Sequence, residues 1–237
     1  MTRFLLPFVL TLLSALPLRA EVEIQEITTP GGLRAWLVEE HSIPFTALEI
    51  WFRGGTSLDR PGKRGAVNLM TATLEEGAGE MDALAFTRAK EMLAADFDYD
   101  VGDDTLSVSA RFLTENRDKA VALLRESLIN PRFDQDAVDR VRGQVISNIR
   151  SDEKDPSDIA GRAFESQAFG DHPYGTSSNG TVESVTALTR EDILNARKDT
   201  MTRDRIYIGA VGDITPEELS ALLDDLLGDL PETGAPM

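Results

Sequence analysis

The chain has 237 residues, no cysteine and a formal net charge of −17. Its length suffices for one substantial core or two small ones, and the lack of cysteine excludes disulfides, thiol nucleophiles and thiolate metal sites. The acidity excludes nucleic acid as a partner, because binding a phosphate backbone takes clustered Lys and Arg, and a solvated acidic surface accounts for it.

Met1 to Ala20 reads as a secretory signal peptide: Arg3 opens it, an apolar stretch runs from Phe4 to Leu18, and small Ala20 precedes the acidic Glu21-Val22-Glu23. The stretch is too short to span a bilayer and carries Pro7 and Pro17, so no stable membrane insertion is expected. A cleaved signal predicts a periplasmic or secreted protein; a retained tether is the alternative.

From Glu23 to Phe52 apolar and polar residues alternate around a Pro30-Gly31-Gly32 turn, predicting a block of strands. Ala66, Leu69, Met70, Thr73 and Leu74 then recur at helical spacing until Gly77, and Asp82 is placed to cap a second helix reaching about Ala95. Alternation returns from Tyr99 to Phe112 across an Asp-rich hairpin. Ala120, Leu123, Leu124 and Leu128 form one face of a helix ended by Asn130-Pro131, and Asp134 is expected to cap a longer one carrying Val138, Val141, Val145 and Ile149. After Asp155-Pro156, Ile159, Ala163, Phe164 and Phe169 line the next helix, and 170–180 is a loop. A helix opened by Thr189, a short strand from Arg205 to Val211 and a helix opened by Thr215-Pro216 follow. Strands and helices in blocks imply an α+β class with a mainly antiparallel sheet and helices on one face, in a single unit over 21–230. The tail 231–237, rich in Pro and Gly, reads as a linker or truncated tail.

Several strings resemble the N-terminal half of an insulinase/pitrilysin-family (inverted zincin) peptidase subunit. They are Trp51-Phe52-Arg53-Gly54-Gly55-Thr56, Pro61-Gly62-Lys63-Arg64-Gly65-Ala66, Leu74-Glu75-Glu76-Gly77, Phe169-Gly170-Asp171-His172-Pro173-Tyr174-Gly175 and Gly209-Ala210-Val211-Gly212-Asp213. In that family a helix carries His-x-x-Glu-His, two zinc-binding histidines on one helical face with the general base between them. The resemblance places Asn68 and Ala72 at the histidine positions, Thr71 at the base and Asn148 at the third ligand, a Glu in the family. None of the four is a good zinc ligand or base, so no zinc bound by this chain and no catalytic residue is expected.

The chain has two histidines, His41 and His172, without ligand spacing, so a rebuilt site is not favoured. Glu75 and Glu76 are expected as solvated helix-end carboxylates. The Asp96–Asp104 run imitates a calcium loop but has Val101 where Gly is needed and Ser107 where a bidentate Glu is needed. Asn179-Gly180-Thr181, formally a glycosylation sequon, is read as a turn.

The resemblance implies a non-catalytic subunit of a heteromeric zinc peptidase: a partner with His-x-x-Glu-His would hold the zinc, and this chain would help bind peptides or unfolded segments. By the same resemblance peptides add to a sheet edge through Asp104, Leu106 and Val108. The alternatives are an active metallopeptidase with a shifted site and a stand-alone peptide-binding module.

Overall fold

The structure, a computed structural model, describes residues 23–236. The expectations for Met1 to Ala20 lie outside the described residues. Strands β1 (Gln25–Thr28), β2 (Arg34–Glu39), β3 (Phe45–Arg53), β6 (Asp96–Val101), β7 (Thr105–Leu113) and β8 (Ile206–Gly212) form a six-stranded sheet in the order β1-β2-β8-β3-β7-β6. All pairings are antiparallel except β2 with β8. The α+β reading with a mainly antiparallel sheet therefore holds, and the late strand β8 enters at its centre. Two short strands, β4 (Gly77–Ala78) and β5 (Met81–Asp82), make a separate ribbon.

Alternation decides which side of the sheet is covered. Leu37, Leu48, Ile50, Phe52, Leu106, Val108 and Ile208 turn one way and are buried beneath the helices, while Trp36, Trp51 and Tyr207 turn the other way and are exposed. Against the buried face lie α1 (Ala66–Thr71), α2 (Ala83–Met92), α3 (Arg117–Ile129), α4 (Gln135–Asp152) and α8 (Pro216–Leu227). Helices α5 (Pro156–Phe169), α6 (Val182–Ala187) and α7 (Arg190–Thr200) are the remaining α-helices among the described residues.

Capping follows the sequence in most places. Asp82 accepts from the Ala85 N–H at 2.8 Å, Thr189 pairs reciprocally with Asp192, and Thr215 with Glu218. Asp134 does not cap α4, because Arg132 Nε engages its carboxylate at 2.7 Å. The first helix ends earlier than expected, at Thr71 rather than near Gly77. There the Thr73 hydroxyl donates to Leu69 O at 2.6 Å and Met70 O at 3.0 Å, drawing the chain into turns.

Three expectations are corrected. The strand carrying Leu106 and Val108, preceded by Asp104 in the turn, is no sheet edge: β7 pairs with β3 on one side and β6 on the other, and β6 is the edge. The tail after Leu230 is no free linker. Pro231 O and Glu232 O accept from the Arg203 and Asp204 N–H groups, and the buried Arg205 donates to Ala235 O at 2.6 Å. Helix α5 buries none of its residues, so Ile159, Ala163 and Phe164 do not line the core.

Candidate functional site

The positions that resemble a zinc site sit on α1 and α4, and these two helices pack against each other. Helix α1 is anchored at its start by Asp59, whose carboxylate accepts from the Gly65 N–H at 2.8 Å and the Val67 N–H at 2.9 Å. These are unpaired first-turn donors, so the aspartate caps the helix from six residues upstream. Burial pushes the Asp59 carboxyl above its ordinary pKa, with the backbone N–H groups and the Arg64 guanidinium pulling the other way.

Arg64, just before the helix, ties the Pro61–Ala66 string to the Phe169–Gly175 string and the residues that follow it. Its Nε donates to Ser177 O at 3.0 Å, and its Nη2 to Thr176 O at 3.0 Å and Pro173 O at 3.1 Å. The loop after α5 is thereby held against the start of α1. Gly180 completes the approach: it has φ 78°, and a Cβ there would meet Arg64 O at 2.4 Å. Tyr174 Oη donates to Asp104, tying the same loop to the β6–β7 turn. His172 does the loop bonding expected of it, its Nδ1 accepting from the Tyr174 N–H at 3.3 Å.

On this frame the four positions carry chemistry unsuited to hydrolysis. Asn68 is half-buried and donates through Nδ2 to Asn179 Oδ1 at 3.1 Å. Thr71 is buried with its hydroxyl donating to Val67 O at 2.9 Å, which leaves it turned into its own helix. Ala72 and Asn148 are exposed, the first without a donor atom and the second with a neutral amide. This donor set does not fit zinc, which takes imidazole, thiolate or carboxylate. Among the described residues no three His, Cys, Asp or Glu side chains gather as a metal site elsewhere.

The other candidates have structural partners. Glu75 pairs with Lys90 and Glu76 with Arg140, so neither is simply a solvated helix end. His41 lies on the surface between Asp213, 2.7 Å from Nδ1, and Glu39, 3.3 Å from Nε2. Hydrogen bonding to those carboxylates raises its pKa, Asp213 contributing most. The Asp-rich run is extended strand β6, with exposed Asp96, Asp98 and Asp100 on one side, where a calcium loop would wrap around its ion. The sequon is a turn, its Asn179 side chain taken up by Asn68.

Sequence reasoning missed two features beside these helices. A cleft of about 470 Å³ opens between the end of α4 (Ile149, Asp152), helix α5 (Arg162, Ser166) and the loop at Ser177 and Thr181. The other is the β6 edge. Gly102 N–H donates to Thr105 O at 2.8 Å across the hairpin, so by alternation the backbone groups of Asp96, Asp98 and Asp100 face β7. Those of Phe97, Tyr99 and Val101 therefore face outward, where no strand pairs with them among the described residues.

A family model described as Insulinase (Peptidase family M16) matches residues 34–182. The chain belongs to peptidase family M16. A second model, Peptidase M16 inactive domain, matches residues 187–236. Its start falls inside the same folded unit, since β8 lies between β2 and β3. The chain is 26% identical over 194 residues to the non-peptidase homolog YmxG of Helicobacter pylori, covering 82% of this chain and 45% of that protein. It is 27% identical over 203 residues to an uncharacterized zinc protease of Mycobacterium leprae, covering 85% and 45%. Among solved structures, the M16 inactive domain from Pseudomonas fluorescens superposes with a TM-score of 0.85 at 25% identity, over 91% of this chain and 52% of that one. The periplasmic protease PqqL from Escherichia coli shares the fold, with a TM-score of 0.78 at 16% identity over 92% and 25%. The chain thus spans about half the length of the curated relatives it matches. It is an M16-family peptidase homologue, and among the described residues no helix is long and apolar enough to cross a membrane.

Proposed function

We propose that this chain is an exported, non-catalytic member of family M16 that binds peptides without cutting them, serving a zinc-bearing partner subunit. The observation that carries this reading is the state of α1 and α4. The helix pair is kept, capped and latched, while Asn68, Thr71, Ala72 and Asn148 offer neither zinc ligands nor a base. Zinc and the attacking water would belong to a partner carrying His-x-x-Glu-His, and the mature chain would act in the periplasm or outside the cell. A mitochondrial-processing peptidase subunit beta among the relatives supports a heteromeric arrangement.

The peptide-holding element in this reading is the outward edge of β6. An extended segment added there would bond to the backbone of Phe97, Tyr99 and Val101. The test is fluorescence anisotropy with fluorescein-labelled casein fragments. Val101→Pro removes an outward N–H without touching the β7 ladder and should weaken binding tenfold or more. Unchanged binding in a folded Val101→Pro protein would remove the edge from the proposal. Recovery of the native protein from its own cells without any His-x-x-Glu-His subunit would remove the partner.

A further inference from the structure

The cleft beside α5 sets groups of both charges around one space. Helix α4 ends in its wall with Ile149, Asp152 and Glu153, α5 supplies Arg162 and Ser166, and the loop before α6 supplies Ser177 and Thr181. Ile149 directly follows Asn148, and Asn179, which holds Asn68, lies between Ser177 and Thr181. The cleft therefore opens beside the positions that resemble the zinc site. Its volume of about 470 Å³ falls within the range of small-molecule sites, about 300–1,000 Å³.

Most of its polar groups are unspent. The half-buried Arg162 guanidinium makes one hydrogen bond among the described residues, from Nη2 to Asp152 O at 2.8 Å, and its other N–H groups make none. Ser177 Oγ accepts from the Asn179 N–H at 3.3 Å and Thr181 Oγ from the Ser184 N–H at 3.1 Å. Neither hydroxyl donates to a group among the described residues, and nor does that of Ser166. The Asp152 and Glu153 carboxylates form no ion pair there. Arg64 also lines the cleft, but its guanidinium is taken by the 173–177 carbonyls and by Asp59 and Asp103, at 3.5 and 3.2 Å.

Charge selects the ligand. An anion alone would face Asp152 and Glu153, and a cation alone would face Arg162. A molecule with one end of each sign serves both, since charge-assisted hydrogen bonds are the strong ones. A carboxylate accepts from Arg162 and the three hydroxyls, and an ammonium donates to Asp152 and Glu153. Ile149, Gly175 and Gly180 leave apolar room for a short backbone between the two ends. We infer that this cleft binds short peptides with free ends, about two residues long, the amino end toward Asp152 and Glu153 and the carboxyl end toward Arg162. The inference rests on the cleft alone and stands whether or not the β6 edge holds extended segments.

The probes are dialanine, N-acetyl-dialanine, dialanine amide and free alanine, titrated calorimetrically into the full chain. Dialanine should bind, and each of the other three should bind at least tenfold more weakly. The double variant Asp152→Asn, Glu153→Gln should weaken dialanine tenfold and leave N-acetyl-dialanine unchanged, because that probe has no ammonium to lose. Arg162→Gln should weaken dialanine and leave dialanine amide unchanged. A variant that merely failed to fold would lower every probe together, so the crossed pattern separates binding from stability. No binding of dialanine by the unaltered chain would overturn the inference, as would equal binding of dialanine and its blocked forms or of free alanine.

Discussion

Asn68 Nδ2 donates to Asn179 Oδ1 at 3.1 Å, so the position that resembles the first zinc-binding histidine makes a structural contact with the loop before α6. The side chain is taken up in packing. Thr71, turned back onto Val67 O, fits the same description. Helices α1 and α4 pack together, so the four positions lie on helices that meet.

That arrangement predicts a gain of metal binding. The variant Asn68→His, Thr71→Glu, Ala72→His, Asn148→Glu restores two imidazoles, a base and a carboxylate on helices that already meet. It should bind close to one zinc per chain, read by mass spectrometry after gel filtration. Asn68→His and Ala72→His alone should bind zinc more weakly, since a third protein ligand is missing.

Arg64 holds the 173–177 segment through three backbone carbonyls. Arg64→Ala should destabilise the chain by about 1–3 kcal/mol, the cost of leaving the half-buried Pro173 and Ser177 carbonyls unpaired. Hydrogen exchange should rise first in residues 173–180 and in the first turn of α1, while β7 and β8 stay protected.

Asp59 caps α1 through two backbone N–H groups, and Asp59→Ala should cost about 1–2 kcal/mol in urea unfolding. Its carboxyl is raised in the fold, so the folded state holds the proton more tightly than the unfolded one. Stability from this group is therefore present below the ordinary aspartate pKa and lost as pH rises through the raised value. Asp59→Asn should flatten that part of the pH profile.

His41 is raised by Asp213 and Glu39, so its stabilising contribution is present below its unfolded pKa, about 6.5, and fades as pH rises through the higher folded value. An NMR titration should place His41 above that reference. Asp213→Asn should move it back toward 6.5, and a titration unaffected by Asp213→Asn would contradict the assignment.

Much of this was legible in the residues. Alternation marked β2, β3 and β7, Asp82 and Thr215 marked helix starts, and the strings around Arg64 and His172 marked the family. What failed was neighbour choice. Phe97 and Tyr99 alternate as Leu106 and Val108 do, and period alone does not say which strand lies outermost. The stripe of α5 was visible, but helical period fixes which residues share a face and not which face meets the body. The tail's Pro and Gly suggested a linker, whereas the buried Arg205, unmarked in the sequence, holds Ala235. The cleft beside Arg162 is made by segments far apart in the chain and has no local signature.

The central claim is that this M16 chain neither binds catalytic zinc nor cuts peptides, and metal counting joined to a peptidase assay tests it most directly. The purified chain, incubated with zinc and passed through gel filtration, should carry far less than one zinc per chain and leave labelled casein uncut. One zinc per chain, with casein cleavage abolished by a chelator and restored by zinc, would contradict it.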